Sequence, residues 1–214
     1  MIAENLKNIL SNIPAEVTLV AVSKTKPNSA IMEAYDAGQR VFGENKVQDL
    51  AAKAEALPKD IQWHMIGHLQ SNKVKYIAPF VALIHGIDSL KLLKEVNKRA
   101  TQNNRVIDCL LQIHIAEEET KFGLNEAEAI QVLNAADELK SVCIKGLMGM
   151  ATNTADESVV SKEFAGLKQL FTKLQTTNSQ LKIISMGMSS DYPLAIRQGS
   201  TMVRVGSAIF GSRN

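Results

Sequence analysis

Val17-Thr-Leu-Val-Ala-Val22, a helix-patterned stretch over 29–38, and Arg40-Val-Phe42 form one strand–helix–strand unit. The first run is short, apolar and rich in β-branched residues, as a strand buried on both faces requires. The helical stretch ends at Gly38, the residue type that closes helices most readily. The unit then repeats. Further strands are expected at 62–66, 81–85, 106–113, 142–148, 182–186 and 201–205, with helices at 47–57, 71–77, 125–138, 158–174 and 193–198. Asp88 and Ser89 offer caps for one more helix, running to about Thr101. Every strand but the last is followed by a helix, which implies an α/β fold with parallel strands. Eight units suit a single closed (β/α)8 TIM-type barrel with an extra N-terminal helix. An open doubly wound sheet is the competing arrangement, but the G-x-G-x-x-G fingerprint of its dinucleotide-binding form is absent. At 214 residues the chain lies near the short end of barrel lengths, so residues 1–214 are expected to form one domain with no lid.

Apolar residues make up 45% and charged residues 21%, enough for a real core and too apolar for a disordered chain. Lys and Arg number 24 against 22 Asp and Glu, a net charge of +2. That is a weak basic bias for a nucleic-acid binder, so no nucleic-acid partner is expected. No apolar run approaches the roughly 18 to 20 residues of a membrane helix. The amphipathic start, with Glu4, lacks the pattern of a signal peptide. Cys109 and Cys143 are the only cysteines, and with four His they give no zinc spacing. A cytoplasmic protein without a membrane partner follows as the expectation.

A parallel barrel places its chemistry at the carboxyl ends of its strands. Lys24 follows strand one, and in two-residue alternation it shares a face with Val20 and Val22. A partly desolvated amine there has a lowered pKa and suits imine formation with an aldehyde. A snorkelling strand-end lysine, or a phosphate contact, is the plainer reading. Asn45 follows strand two, and strand three runs into His64-Met-Ile-Gly-His68 with Asn72 beyond. Strand four ends at His85. Met186-Gly-Met-Ser189-Ser190-Asp191 reads as strand, small-residue loop and helix start, with hydroxyls and backbone N–H groups suited to a phosphate. Ordinary helix capping by Ser190 or Asp191 explains the same residues. Gly206-Ser207 supplies a second close-approach loop. Arg204, between Val203 and Val205, needs a partner if buried: a phosphate, a ring nitrogen, or a carboxylate such as Glu44 or Asp191. An aldehyde-seeking lysine, phosphate loops and an arginine on one mouth together point to pyridoxal 5′-phosphate.

Seven segments resemble one family. They are Ala21-Val-Ser-Lys24-Thr-Lys-Pro27, Phe42-Gly-Glu-Asn-Lys-Val-Gln48, Trp63-His-Met-Ile-Gly-His-Leu-Gln-Ser-Asn-Lys73, Thr120-Lys-Phe-Gly123, Gly146-Leu-Met-Gly-Met150, Ser185-Met-Gly-Met-Ser-Ser-Asp191 and Val203-Arg-Val-Gly-Ser-Ala-Ile-Phe-Gly211. In this order, over nearly the whole chain, they resemble the pyridoxal-phosphate homeostasis proteins (the YggS/PROSC group), which look like the barrel domain of alanine racemase standing alone. The resemblance implies that Lys24 carries the cofactor as an aldimine. It implies that Ser190, Gly206 and Ser207 hold the phosphate with Ser189 nearby, and that Arg204 faces the pyridine nitrogen. Asn45 would lie beside the ring, Met148 and Met186 would pack around it, and His64, His68 and Asn72 would line the mouth. Phe122 departs from the family, where a small polar residue is usual, and Ser207 stands where Thr is commoner.

The implied function is holding the cofactor for intracellular vitamin B6 homeostasis, buffering it and delivering it to apo-enzymes, without committed catalysis. The alternative is a weak amino-acid racemase. Racemisation needs a proton-transfer group on each face of the substrate, and none of Tyr35, Tyr76 and Tyr192 is placed as an obvious second base. Lys73 and Lys121 are candidate secondary aldehyde sites. The helix faces show no long exposed apolar patch, so a monomer is expected.

Overall fold

The computed structural model describes residues 1–118 and 122–211. Eight parallel strands close in sequence order into a barrel. They are β1 (Thr18–Val22), β2 (Val41–Glu44), β3 (Gln62–Met65), β4 (Leu83–Ile87), β5 (Ile107–Gln112), β6 (Val142–Met148), β7 (Ile183–Ser185) and β8 (Met202–Val205). The helices are α1 (Ile2–Ser11), α2 (Asn28–Asp36), α3 (Val47–Ala56), α4 (Val74–Ile77), α5 (Leu90–Gln102), α6 (Glu126–Ala136), α7 (Glu157–Gln175), α8 (Tyr192–Arg197) and α9 (Ser207–Phe210). β1 closes the ring on β8, with Val20 opposite Arg204. No helix among the described residues is long and apolar enough to cross a membrane.

Alternation sorts each strand into two layers. Val20, Leu83, Leu110, Met148 and Met202 pack inside the barrel. Leu19, Ala21, Phe42, Ile84 and Leu111 point outward onto helix residues such as Leu50, Leu93 and Phe164. α5 starts where Ser89 Oγ accepts from Leu92 N, and Asn125 and Glu128 form a reciprocal cap on α6.

Three local expectations change. Strand four begins at Leu83 rather than 81, because Val81 N–H closes on Ile77 O at 2.9 Å, finishing the α4 turn. His85 therefore sits within β4, wholly buried, instead of at its end. The last strand is followed by a short helix after all, α9, which carries Ser207 as its first residue.

Candidate functional site

At the carboxyl ends of β1, β2, β7 and β8 lies a cavity of about 690 Å³, inside the roughly 300–1,000 Å³ of small-molecule sites. Of the residues singled out in the sequence, Lys24, Asn45, Ser189, Ser190, Arg204, Gly206 and Ser207 line it. Lys26 lines it too, and no carboxylate does among the described residues. Three cationic side chains around a space without acids favour an anionic ligand.

Lys24 is half-buried, two residues past β1. Its backbone is fixed from outside the barrel. Glu44 Oε1 accepts from Ser23 Oγ at 2.6 Å and from Lys53 Nζ at 2.7 Å. Lys53 Nζ also donates to Ser23 O at 2.9 Å. Glu44 is completely buried and Lys53 nearly so, hence this pair clamps the residue before Lys24 in a water-poor setting. Thr25, immediately after, takes a left-handed φ of 67°, an uncommon conformation for a β-branched residue, and also lines the cavity. Asn45 is held by a close approach of chains: a Cβ on Gly67 would stand 2.4 Å from Asn45 O.

The two small-residue loops are joined, since Gly206 N donates to Ser189 Oγ at 3.0 Å. That bond leaves the Ser189 proton for another acceptor. Asp191 Oδ1 accepts from Met188 N at 2.6 Å and folds the loop before α8. Gly206 lies against β1, where an added Cβ would meet Val22 O at 3.1 Å. This packing brings the loops after β7 and β8 to the same cavity as Lys24.

Arg204 is 4% exposed, and neither Glu44 nor Asp191 hydrogen-bonds to it. Its Nη1 donates to Ser185 O at 2.8 Å and Ser185 Oγ at 2.5 Å, and its Nη2 to Gly149 O at 3.1 Å. Burial pulls its pKa down to about 10, still cationic at neutral pH. Its hydrogen-bond partners are neutral oxygens, and Asp191 acts on its charge only through space.

Several expected residues lie elsewhere. His64, Met148 and Met186 do not line the cavity. Met148 is inside the barrel one layer below, and Met150, two residues on, takes the rim position. Met186 packs outward with the helix layer; the chain then turns at Gly187 (φ 97°) and presents Met188 instead. His64 is buried in the lumen, its Nδ1 3.0 Å from His85 Nε2. His68 and Asn72 are exposed and outside the cavity lining. His68 Nδ1 contacts Asp88 Oδ2 at 3.2 Å, and its ring stacks on Phe122 with centroids 4.1 Å apart. Tyr76 is exposed under Lys73 and Lys75. Tyr35 bonds Asp60 at 2.8 Å. Thr120 and Lys121 lie outside the described residues. The sequence reading missed Thr25, Ile66, Met150 and Met188; carrying the alternation two residues past each strand would have found Met150.

Burial lowers the pKa of His64 to about 3, and burial, with the nearby His64 and Arg204, holds that of His85 well below the usual imidazole value. Both therefore stay neutral in the fold while the unfolded chain takes up protons below about 6.5. Their contribution to stability is full above about pH 6.5 and is lost as pH falls toward about 3, with a slope of at most about 1.4 kcal/mol per pH unit for each ring. Urea unfolding at about pH 7.5 and about pH 4.5 should show the loss, and His64→Gln should flatten it. Equal slopes for the two proteins would contradict this origin.

The sequence model of the alanine racemase N-terminal domain matches residues 1–214. The pyridoxal phosphate homeostasis protein of Vibrio alginolyticus is 38% identical over 228 residues, covering 100% of this chain and 98% of that one. The protein of that name from Escherichia coli K12 is 41% identical over 208 residues, covering 94% and 88%. The structure of PipY from Synechococcus elongatus PCC7942 with PLP bound superposes with a TM-score of 0.91 at 38% identity, covering 99% of this chain and all of that one.

Proposed function

Since the chain belongs to the alanine racemase N-terminal domain family, and within it to the pyridoxal phosphate homeostasis proteins, we propose that it binds pyridoxal 5′-phosphate in the mouth cavity and serves in vitamin B6 homeostasis. The observation that carries this reading is the cavity itself: an amine from the end of β1, hydroxyl-bearing loops after β7 and β8, and a buried arginine on β8, with no carboxylate in the lining among the described residues. The donor set fits the cofactor's parts. Ser189, Ser190, Ser207 and the Gly206 loop would hold the phosphate. Arg204 offers a donor to the ring nitrogen, and Asn45, just past β2, lines the same cavity. When bound, the cofactor supplies an electrophilic aldehyde carbon that an amine attacks with loss of water. Lys24 is the amine that would make that link.

The chain holds and releases its ligand without committed turnover. Racemisation needs a second base facing Lys24. What supports the carrier reading is that Tyr35, Tyr76 and Tyr192 are all absent from the cavity lining. An arginine beside the ring nitrogen would keep the ring neutral, a weaker electron sink than one paired with a carboxylate, which disfavours broad carbanion chemistry but is compatible with racemisation. Delivery to apo-enzymes in the cytoplasm, by a monomer, completes the proposal.

The test pairs two assays on the loaded protein. Incubation with L-alanine in deuterium oxide should give no α-deuterium above a blank. Mixing with an apo-enzyme that uses the cofactor should restore that enzyme's activity as the visible band of the loaded protein falls. Steady α-exchange with inversion would establish the racemase instead.

A further inference from the structure

Behind the cavity, three buried side chains that the proposed function leaves unused form a line across the barrel. Arg204 Nη1, on β8, donates to Ser185 Oγ on β7 at 2.5 Å. Ser185 Oγ lies 3.0 Å from His85 Nδ1 on β4. His85 Nε2 lies 3.0 Å from His64 Nδ1 on β3. β4 and β8 are four strands apart in the closed order, so the line spans the lumen from wall to wall. Ser185 and His85 are wholly buried, and His64 and Arg204 are 5% and 4% exposed.

The chemistry of one end fixes the proton order of the whole line. A guanidinium donates and never accepts. Ser185 Oγ must therefore accept from Arg204, and its own proton has one acceptor left, His85 Nδ1. His85 then carries its proton on Nε2 and donates it to His64 Nδ1, which puts the His64 proton on Nε2. The opposite order would leave the serine proton buried without an acceptor. A protonated His85 would have the same defect and would add a second cation beside Arg204. Burial keeps both rings neutral, consistent with that order.

We infer that His85, acting through Ser185 and backed by His64, is a positioning residue for Arg204, a neutral one-way relay that holds the guanidinium in the pose it offers to the cofactor ring. This rests on the proposed cofactor site. The relay and the Gly149 carbonyl occupy both Nη nitrogens from the protein side. The remaining donor edge of Arg204 is then oriented by groups that do not themselves line the cavity. Ser185 is the hinge of the arrangement, since it alone bonds both the arginine and the imidazole.

The experiment has two parts. Long-range proton–nitrogen correlation spectra of the full chain labelled with 15N-histidine, recorded without cofactor, should show His85 and His64 as Nε2–H tautomers at both about pH 8 and about pH 5.5. In the second part, His85→Leu should weaken pyridoxal phosphate binding by about tenfold or more, the scale of one misaligned charged hydrogen bond. It should also displace the visible band of the bound cofactor, while borohydride still fixes the label to Lys24. His85→Gln, whose amide can accept from Ser185 and donate to His64, should restore most of the affinity and the band. An Nδ1–H or charged His85 in the wild-type spectrum would overturn the relay. So would a folded His85→Leu with wild-type affinity and band, or a His85→Gln no better than Leu. If His85→Leu does not fold, the tautomer spectrum and His85→Gln decide between these outcomes. Absence of label on Lys24 in the wild-type protein would instead sink the cofactor site, and the tautomer spectrum would still judge the relay.

Discussion

Lys24→Ala is expected to abolish the visible band that pyridoxal phosphate develops on mixing with the wild-type protein, and to weaken binding by about a hundredfold, or about 2.8 kcal/mol. The physical ground is that the half-buried Lys24 is placed in the cavity by the strand alternation, with Val22 on the same face. The phosphate loops and Arg204 are untouched by the change, so residual binding should persist and remain sensitive to competing inorganic phosphate. Lys26 also lines the cavity and is the natural substitute amine. Its failure to rescue the band would show that position, and not mere presence of an amine, selects Lys24. Equilibrium dialysis with absorbance spectra measures both quantities. A variant that keeps the band at unchanged affinity would place the aldehyde elsewhere.

Lys53→Met is expected to cost about 3–5 kcal/mol of stability, the usual penalty for leaving one member of a buried ion pair alone. Glu44 is fully buried, and its second oxygen, Oε2, already has no hydrogen-bond partner among the described residues. Removing the lysine strips Oε1 of its cation and leaves only the Ser23 hydroxyl. For a chain of this size the melting temperature should fall by roughly 10 °C. The same change removes the bond to Ser23 O, so the segment that carries Lys24 loosens, and cofactor affinity should drop in the protein that remains folded. Pairing the change with Glu44→Gln removes the orphaned charge and should recover much of the stability but not the affinity. Thermal melts of the two proteins check this. A single variant melting within about 1 °C of wild type would show the pair to be solvated and weak, as exposed ion pairs are.

Much of this architecture was legible because one physical rule repeats. Each β-branched run had to be a strand buried on both faces, and the residues just past it had to sit at the barrel mouth. The positions of Lys24, Asn45 and the Ser189–Ser190 and Gly206–Ser207 loops at the mouth followed from that rule, while the choice of Asn45 as a site residue came from the family resemblance. It failed where local chain geometry intervened. Val81 looks like strand but closes a helical turn, which moved His85 from the mouth into the lumen. Gly187 turns the chain at φ 97°, which exchanged Met186 for Met188. The partner of Arg204 could not be read either. The sequence offered a phosphate, a ring nitrogen or a carboxylate, whereas within the protein the fold supplied a serine hydroxyl and two carbonyls whose positions depend on three strands meeting. The clamp of Glu44, Lys53 and Ser23 was invisible for the same reason, since it joins β2, α3 and the end of β1.

Pyridoxal phosphate mixed with the full chain, reduced with borohydride, digested and mapped by mass spectrometry tests the central claim most directly. The account predicts one dominant modified peptide, carrying the reduced cofactor on Lys24, with inorganic phosphate in excess suppressing the yield. Label spread over exposed lysines, or concentrated on Lys73 or Lys121 with Lys24 unmodified, would contradict it.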